Sequence, residues 1–266
     1  MPLDLDAYLR RVGYAGELAP TPEALRGLHL AHATHIPFEN LDVLLGRPVL
    51  LDTEALEAKL VRGGRGGYCF EQNLLFAEAL ERLGFRLDRL AARVRFGAHR
   101  VLPRTHMLLR VEAGGRDWLA DVGFGGEGLL LPVAMGPGEV SEQFAWAYRV
   151  VEDGGYRVLQ ARQADGWADL YVFGPEPQHL VDFEVANYYV STHPSSRFTQ
   201  TLTVQLPTPE ARYVLRGREL VIDRGRGREA RAVEEGDLLG VLRETFGLAF
   251  PPGTRFAPAA VRQGEG

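Results

Sequence analysis

Hydrophobic positions recur with a helical period in the first third of the chain. Asp4–Arg11 is a short amphipathic stretch that predicts a helix. Thr21–Glu23 is a helix start, because a capping hydroxyl precedes a proline at the first helical position and an acid in the first turn. The helix that it opens should end before Pro37. Asp52–Val61 repeats the helical pattern, and Gly63 is its stop signal.

Another apolar run with helical period follows Cys69, the single cysteine of the chain, and predicts a helix that ends at Gly84. Cys69 would lie near the N-terminus of this helix, where free N–H groups and the helix dipole favour a thiolate. Four glycines between Arg62 and Tyr68 allow the preceding backbone to turn tightly or to approach a ligand. A small buried cysteine without chemistry is the alternative interpretation. The hydrophobic positions of the run are Phe70, Leu74, Leu75, Ala77, Leu80 and Leu83.

After Gly84 the period changes to two, which predicts antiparallel strands, and Gly114–Gly115 joins two of them as a hairpin. The predicted strands are Arg93–Phe96, His106–Glu112, Arg116–Val122, Ala145–Val151, Tyr156–Gln160 and Leu170–Phe173. Three later runs are expected to extend the same sheet: Phe198–Gln205, Arg212–Leu215 and Leu220–Asp223. The remainder is predicted as a loop at Arg224–Arg228, a helix at Glu234–Phe246 and an irregular tail after Pro251. A helical segment, a β region and a mixed segment in this order indicate the α+β class.

Composition narrows the classes of function. A net charge of −5 disfavours nucleic acid as a partner, because such proteins present a basic face. Met1–Asp6 has neither the basic nor the apolar region of a secretory signal, and no apolar run is long enough to cross a bilayer. A single cysteine suits a reducing compartment, in which a thiol stays available. We therefore expect a soluble, cytoplasmic protein.

Cys69, His106 and Asp121 are the candidate catalytic residues. A nucleophilic cysteine needs a base to take its proton and a third group to orient that base. A hairpin that turns at Gly114–Gly115 puts His106 opposite position 123, two residues from Asp121 and on the same face of the ribbon. A carboxylate at the end of an apolar strand must find a partner. A structural His–Asp pair remains possible, and local geometry does not bring Cys69 to it.

Metal and phosphate sites are weaker interpretations. His29, His32 and His35 are spaced by three residues, so that His32 would neighbour both others on a helix. Neither a cysteine nor a clear acid completes a ligand set, so a structural or surface role is expected and no metal is predicted. The glycine-rich run at 63–67 lacks the lysine and hydroxyl residue of a phosphate-binding loop and does not follow an apolar strand.

Several motifs together resemble the arylamine N-acetyltransferase family of the bacterial type. They occur in order along the chain: 36–42 (IPFENLD), 65–73 (RGGYCFEQN), Thr105–His106, 121–125 (DVGFG) and 191–198 (STHPSSRF). The resemblance implies three consecutive parts, namely a helical bundle (1–84) carrying the nucleophile, a β-barrel (85–190) carrying histidine and aspartate, and an α/β lid (191–266). It also implies a cysteine-protease-like Cys–His–Asp triad between the first two parts. The chain after Pro251 matches no family motif.

The resemblance implies acetyl transfer from acetyl-CoA to arylamines, arylhydroxylamines or hydrazines through an acetyl-Cys69 intermediate, without a metal. Arg65, Glu39 and Asn40 match positions that support the family's active site. Phe38, Val94, Phe124 and Phe198 match acceptor-pocket positions. Gly125 and Gly126 match the turn that approaches CoA; Thr105 belongs to the same predicted site, and Arg104, with Arg100, could meet phosphates.

Three other functions remain open. An amide synthase of the same fold would use the same triad on a polyketide-bound thioester. A cysteine hydrolase would pass the acyl group to water or to a lysine. A ligand-binding protein would bury Cys69 as an inert thiol, which predicts slow alkylation rather than the fast alkylation expected of a catalytic thiol.

Overall fold

The computed structural model describes residues 2–258, and the last residues of the predicted tail lie outside this range. Its N-terminal part is helical, as predicted. Asp4 caps the first helix by accepting a hydrogen bond from the Ala7 N–H, and Thr21 caps the second by accepting one from the Ala24 N–H. A π-helical turn, Glu57–Arg62, continues the fourth helix as far as Gly63. The helices are α1 (Leu5–Val12), α2 (Pro22–His35), α3 (Leu41–Leu44), α4 (Thr53–Leu56) and α5 (Cys69–Arg82).

Helix α5 lies at the centre of this part of the molecule. It begins at Cys69 and ends just before Gly84, which agrees with the predicted bounds. Most of its residues are buried, including the three polar residues directly after Phe70. Because hydrophobic and polar residues of α5 are buried alike, other elements of the fold must cover the helix on several faces. The residues at its N-terminus are therefore in contact with more than one part of the fold.

The middle of the chain forms an antiparallel sheet that is nearly closed as a barrel. Gln143 links the two ends of the sheet, because its side chain accepts hydrogen bonds from the N–H groups of Leu130 and Leu131, at 2.9 Å each. Within residues 2–258 the strand order is β5-β4-β3-β2-β9-β8-β7-β6. The bounds are β2 (Arg86–Val94), β3 (His106–Ala113), β4 (Arg116–Ala120), β5 (Val133–Ala134), β6 (Val140–Gln143), β7 (Trp146–Asp153), β8 (Tyr156–Gln163) and β9 (Gly166–Phe173).

The predicted hairpin is confirmed. Leu109 pairs with Ala120, and Ala113 pairs with Arg116. Both turn residues, Gly114 and Gly115, have left-handed backbone angles (φ 60° and 74°), as the tight turn requires. The first strand of the barrel was predicted wrongly at Arg93–Phe96. It begins at Arg86, shortly after the end of α5, where its pairing with β3 starts, and it ends at Val94.

The C-terminal segment forms a second sheet rather than an extension of the barrel, so that prediction was wrong. One of its edge strands is β1 (Phe38–Glu39), which comes from the N-terminal part and pairs with β10 (Thr203–Pro207). In the described part of the chain the order is β1-β10-β11-β12-β13. A pairing across so many residues cannot be inferred from a local pattern. The further strands are β10 (Thr203–Pro207), β11 (Arg212–Arg216), β12 (Glu219–Asp223) and β13 (Arg228–Ala232).

The C-terminal half of the chain differs from the predictions at four further elements. The strand predicted at Phe198–Gln205 is wrong in its first half, because Ser196 caps a short helix there by accepting the Phe198 N–H. Strand β13 follows the predicted loop at Arg224–Arg228 and was missed. The predicted helix Glu234–Phe246 begins as a 3₁₀ turn, Glu235–Asp237. The helices are α6 (Leu180–Thr192), which was also missed, α7 (Arg197–Gln200) and α8 (Leu238–Phe246).

Within the described range, the buried hydrophobic side chains form three clusters. The first surrounds α5 and includes Phe70 and Phe76, the second fills the barrel around Tyr171, and the third packs the second sheet against α8 around Leu242. The division of the chain after residues 84 and 190 stays a prediction, and α6 runs across the second of these boundaries. Among the described helices, none has the length and apolar character needed to cross a membrane.

Candidate active site

Cys69 is the first residue of α5 and is almost completely buried. Its sulfur lies 3.6 Å from the carbonyl oxygen of Thr105, the residue before His106. The helix start is fixed by a capping box, in which the Glu71 carboxylate accepts the Tyr68 N–H at 3.0 Å. The thiol therefore has a defined position between the helical part and the barrel.

His106 and Asp121 form a buried hydrogen-bonded pair. His106 Nε2 lies 2.7 Å from Asp121 Oδ2, and both side chains are at most 3% exposed. Burial alone would lower the pKa of His106, but the Asp121 carboxylate, its hydrogen bond and the Cys69 side chain outweigh it and raise that pKa to about 10. The imidazole can thus hold a proton at neutral pH. Asp121 contacts only Nε2 of the ring, so Nδ1 is not used by Asp121.

Asp121 accepts hydrogen bonds from four donors. His106 and the Tyr171 hydroxyl (2.9 Å) bind one carboxylate oxygen; the Asn73 side-chain amide (2.9 Å) and the Gly123 N–H (2.9 Å) bind the other. Burial would raise the pKa of Asp121, but the charge on His106 and these hydrogen bonds lower it. The carboxylate is thus held as an anion in a fixed orientation.

The polar residues that follow Cys69 on α5 hold the surrounding backbone. Gln72 donates to the carbonyl oxygens of Pro37 (2.9 Å) and Gly67 (3.2 Å). Asn73 donates to Met107 O at 2.7 Å and accepts the Val122 N–H at 3.1 Å, so it links α5 to both β3 and the segment after β4. Gln72 and Asn73 bind different walls of the site from adjacent positions.

Gly123 allows the segment after β4 to approach α5 closely. A Cβ atom there would lie 2.8 Å from the Cα and 2.9 Å from the carbonyl oxygen of Cys69. Such distances to backbone atoms are too short, so a larger residue would push Asp121 away from the helix. Gly123 is therefore needed for the segment after β4 to pack closely against the start of α5.

A buried ion cluster lies on the other side of Cys69. We call it the loop-side ion cluster, and it consists of Glu39, Asp42, Lys59, Arg65 and Glu71. Lys59 Nζ is 2.7 Å from both Asp42 and Glu71, and Arg65 is 2.6 Å from Glu39 and 3.3 Å from Asp42. Burial would lower the pKa of Lys59, but the charges of its carboxylate neighbours raise it. The cluster therefore holds the glycine-rich loop against α5 and β1.

Asn40 joins the helical part to the C-terminal segment. Its side chain donates to Phe198 O (2.8 Å) and Thr201 O (2.9 Å) and accepts the Thr203 N–H (2.8 Å). Glu39 and Asn40 are both nearly fully buried.

The residues predicted for the acceptor pocket lie near His106 and Asp121. Phe124 packs edge-on against His106 with ring centres 5.2 Å apart, and Phe38 packs against Phe198 at 5.8 Å. Phe38 and Phe124 line the same small cavity as Asp121. Val94 pairs with Tyr171 across β2 and β9, beside the ring that contacts His106.

The residues predicted for CoA lie in different places. Gly125 lines the cavity next to Phe124, while the Gly126 N–H donates to Gln205 Oε1 at 2.6 Å. Arg104 lines another cavity, of about 300 Å³, together with Tyr156 and Gln178. Thr105 is half-buried and contacts Cys69 through its carbonyl oxygen, whereas Arg100 is exposed.

The three histidines of α2 are used within the protein. His32 is hydrogen-bonded to Tyr8 (2.9 Å) and Gln72 (2.8 Å), and His29 to Asp121 N (3.1 Å) and Leu130 O (3.0 Å). His35 contacts Ala31 O at 2.9 Å. Within the described residues, no group of three or more His, Cys, Asp or Glu side chains could hold a metal ion.

Sequence reasoning missed several residues of the site. Gln72 and Asn73 left a signal, since adjacent amides on an apolar helix are unusual unless they are hydrogen-bonded. Tyr171 left none, because a tyrosine suits any barrel strand. Gln205 and His29 reach the site from positions far away along the chain.

Comparisons with known proteins agree with this architecture. A family model described as N-acetyltransferase matches residues 21–253. The arylamine N-acetyltransferase of Mycolicibacterium smegmatis is 42% identical over 255 residues, which cover 93% of each chain. The crystal structure of the Nocardia farcinica arylamine N-acetyltransferase has a TM-score of 0.89 and 44% identity, covering 94% of this chain and 90% of that one. The Mycobacterium marinum arylamine N-acetyltransferase, solved in complex with CoA, has a TM-score of 0.87 and 40% identity over 92% of both chains.

These matches define the class of the protein, which is an acyltransferase with the α+β fold predicted from its sequence. The chain belongs to the arylamine N-acetyltransferase family.

Proposed function

We propose that the protein transfers an acetyl group from acetyl-CoA to an arylamine, arylhydroxylamine or hydrazine, with Cys69, His106 and Asp121 as the catalytic triad. The observation that carries the proposal is the buried His106–Asp121 hydrogen bond of 2.7 Å beside the Cys69 thiol. The names of the relatives supply the substrate class, and the CoA complex of the M. marinum enzyme supports the acyl donor.

The first half-reaction acetylates Cys69. His106 takes the thiol proton, and the thiolate attacks the carbonyl carbon of the acetyl-CoA thioester. The carbon–sulfur bond to CoA breaks, and CoA leaves as a thiolate that takes up the proton from His106. Asp121 orients the imidazole and stabilises its charge throughout.

The second half-reaction passes the acetyl group to the amine. The amine nitrogen attacks the carbonyl carbon of acetyl-Cys69, His106 takes the proton that the nitrogen loses, and the Cys69 sulfur leaves. The products are the amide and the free enzyme. Burial of Cys69 and His106 limits the access of water, which would otherwise hydrolyse the thioester.

We propose Phe38, Phe124, Phe198 and Val94 as the apolar acceptor region. The edge-on packing of Phe124 on His106 supports this, because an aromatic amine bound there would lie next to the base. For CoA we propose Gly125, Gly126, Thr105 and Arg104. The cavity at Arg104 supports a cationic contact to phosphate, and the Gly126 N–H, which donates to Gln205 in this structure, is the backbone donor that we propose for CoA.

We also propose a cytosolic location, because a reducing compartment keeps a single catalytic thiol free.

The test is the intact mass of the protein after mixing with acetyl-CoA in the absence of an acceptor. We expect one added acetyl group, absent in Cys69→Ala, that persists until an aromatic amine or hydrazine removes it as an amide. If the wild type forms no adduct but its thiol is rapidly alkylated by iodoacetamide, Cys69 is still an activated thiol, and acetyl-CoA is overturned as its acyl donor. A wild type without the adduct and with a slowly reacting thiol would overturn the catalytic role of Cys69.

A further inference from the structure

Asp121 depends on a contact to its backbone as well as on contacts to its carboxylate. It directly follows Ala120, the last residue of β4 and the last to pair with β3. The Asp121 N–H donates instead to Nε2 of His29, on α2, at 3.1 Å. A buried N–H group without a partner is costly, so this contact determines where the chain can leave the strand.

The same imidazole contacts the other end of the segment that follows. His29 Nδ1 lies 3.0 Å from Leu130 O. The segment 121–130 carries Gly123, which approaches Cys69, and Phe124, which packs on His106. His29 therefore holds both ends of the segment that brings Asp121 and Phe124 to the triad.

The two contacts require one form of the ring. A backbone N–H can only donate, so Nε2 must be unprotonated; a carbonyl can only accept, so Nδ1 must carry the proton. Burial lowers the pKa of His29 to about 4, and the Arg26 charge acts in the same direction, against the opposing effects of Leu130 O and Asp121. Of the neighbouring titratable groups, His32 is also neutral, its pKa lowered to about 3 by burial. His29 is thus a neutral ring with both nitrogens in use.

We propose that His29 is a positioning residue of the triad, which holds the Asp121 backbone so that its carboxylate faces His106. This inference rests on the proposed function, because it assigns His29 a part in activating Cys69. His29 touches neither the thiol nor His106 through any hydrogen bond in the described residues, so it acts only through Asp121 and the segment 121–130.

His32 is the matched control for burial. It lies one turn along the same helix, is as fully buried as His29 and also packs edge-on against Phe76. Its hydrogen bonds go to Tyr8 and Gln72 rather than to Asp121. Replacing either histidine by leucine removes a buried ring and two hydrogen bonds, but only His29→Leu releases Asp121.

Two amide variants separate the two contacts of His29. The amide of glutamine reaches about as far as Nε2, so His29→Gln can still accept the Asp121 N–H. The amide of asparagine reaches about as far as Nδ1, so His29→Asn can serve Leu130 but not Asp121. The variants are similar in polarity and differ in the contact that the proposal requires.

The experiment measures the rate of Cys69 acetylation in a single turnover and the titration of His106 by NMR of ¹⁵N-histidine-labelled protein. We expect His29→Asn and His29→Leu to lose up to about 100-fold in rate, since small misplacements at a catalytic group cost this much. Their His106 midpoint should move by at least one pH unit towards its ordinary value, whereas His29→Gln and His32→Leu should keep the wild-type midpoint. The wild-type spectrum should contain a bare Nε2 signal from a ring that stays neutral down to about pH 4, and this signal should be lost in His29→Leu.

Equal behaviour of His29→Asn and His29→Gln, or an unchanged His106 midpoint in His29→Leu, would overturn the positioning role. Loss of rate with equal midpoint shifts in His29→Leu and His32→Leu would reduce His29 to a general contribution to folding. Failure of the wild type to become acetylated would instead overturn the proposed function, and the NMR comparison would still decide whether His29 orients Asp121.

Discussion

The polar residues on the two sides of Cys69 differ in how their charges are balanced. The loop-side ion cluster contains three carboxylates, which face the cations of Lys59 and Arg65. Asp121, on the other side, faces His106 as its charged partner, and its other hydrogen-bond donors are neutral: Tyr171, Asn73 and the Gly123 N–H. One side holds its charges permanently, and the other leaves one group able to exchange a proton.

The chemistry of the cations explains the difference. Lysine and arginine remain protonated across the physiological range, so an ion cluster built from them has one charge state and one geometry. Arg65 also lies under the ring of Phe250, 4.6 Å from its centre, which ties the C-terminal segment to this side. Histidine is the side chain whose charge changes within reach of neutral pH. Neutral donors around Asp121 leave its charge to act on that histidine.

The largest loss of acetylation rate is expected from Asp121→Asn, which removes the carboxylate that faces His106. An amide cannot accept from all four donors and does not hold His106 in the required tautomer, so the rate of acetylation should fall by roughly 10⁴-fold. Single-turnover acetylation measures this, with the thermal unfolding midpoint recorded alongside. A rate within tenfold of wild type in a folded protein would show that His106 is oriented by another group.

Lys59→Met should break the loop-side ion cluster and reduce stability. It leaves Glu71, which is 2% exposed, as a buried carboxylate without its cation, and such losses cost about 3–5 kcal/mol. Chemical denaturation measures the free energy of unfolding.

Arg47→Met is the matched control for Lys59→Met. Arg47 also faces Asp42, at 3.7 Å, but its side chain is 62% exposed, so its removal should cost less than about 1 kcal/mol. Equal losses in the two variants would mean that burial does not distinguish these pairs.

The pH dependence of stability should separate the two sides. The raised pKa of His106 contributes stability that is complete below about pH 6.5 and is lost as the pH rises towards 10. The lowered pKa of Asp121 contributes stability that is fully present at pH values above the ordinary pKa of an aspartate. This stability is lost as the pH falls towards the lowered pKa of Asp121 in the folded protein. The cluster around Lys59, whose pKa is raised, keeps its charges throughout the neutral range.

The free energy of unfolding of the wild type should therefore fall between pH 6.5 and 9 relative to that of Asp121→Asn, by at most about 1.4 kcal/mol per pH unit for one proton. Parallel pH curves for the two proteins would contradict the strong coupling of His106 to Asp121.

Much of the local structure could be predicted from the sequence, because the signals act over a few residues. Thr21–Glu23 marked a helix start, Gly84 a helix end, and Gly114–Gly115 a hairpin whose register brings His106 near Asp121. The adjacency of His106 and Asp121 therefore followed from a single turn. That Cys69 joins these two residues was expected only from the family motifs.

Other features depend on contacts between distant segments. The pairing of β1 with β10, the capture of the Gly126 N–H by Gln205 and the contact of His29 with Asp121 each join positions that no local period relates. Val94, in contrast, was named from the resemblance to the family although the bounds of its strand were predicted wrongly, because the resemblance and the secondary-structure pattern are separate signals.

The sequence by itself determined which residues could carry the chemistry, since thiol, imidazole and carboxylate are properties of the side chains, and where helices and turns begin, since caps and glycines act locally. The tertiary structure alone decided that Cys69 lies beside His106, that Asp121 is surrounded by neutral donors, and that the charges near Lys59 are buried. Burial and long-range hydrogen bonding arise from the packing of whole elements, and they set the pKa values on which the chemistry depends.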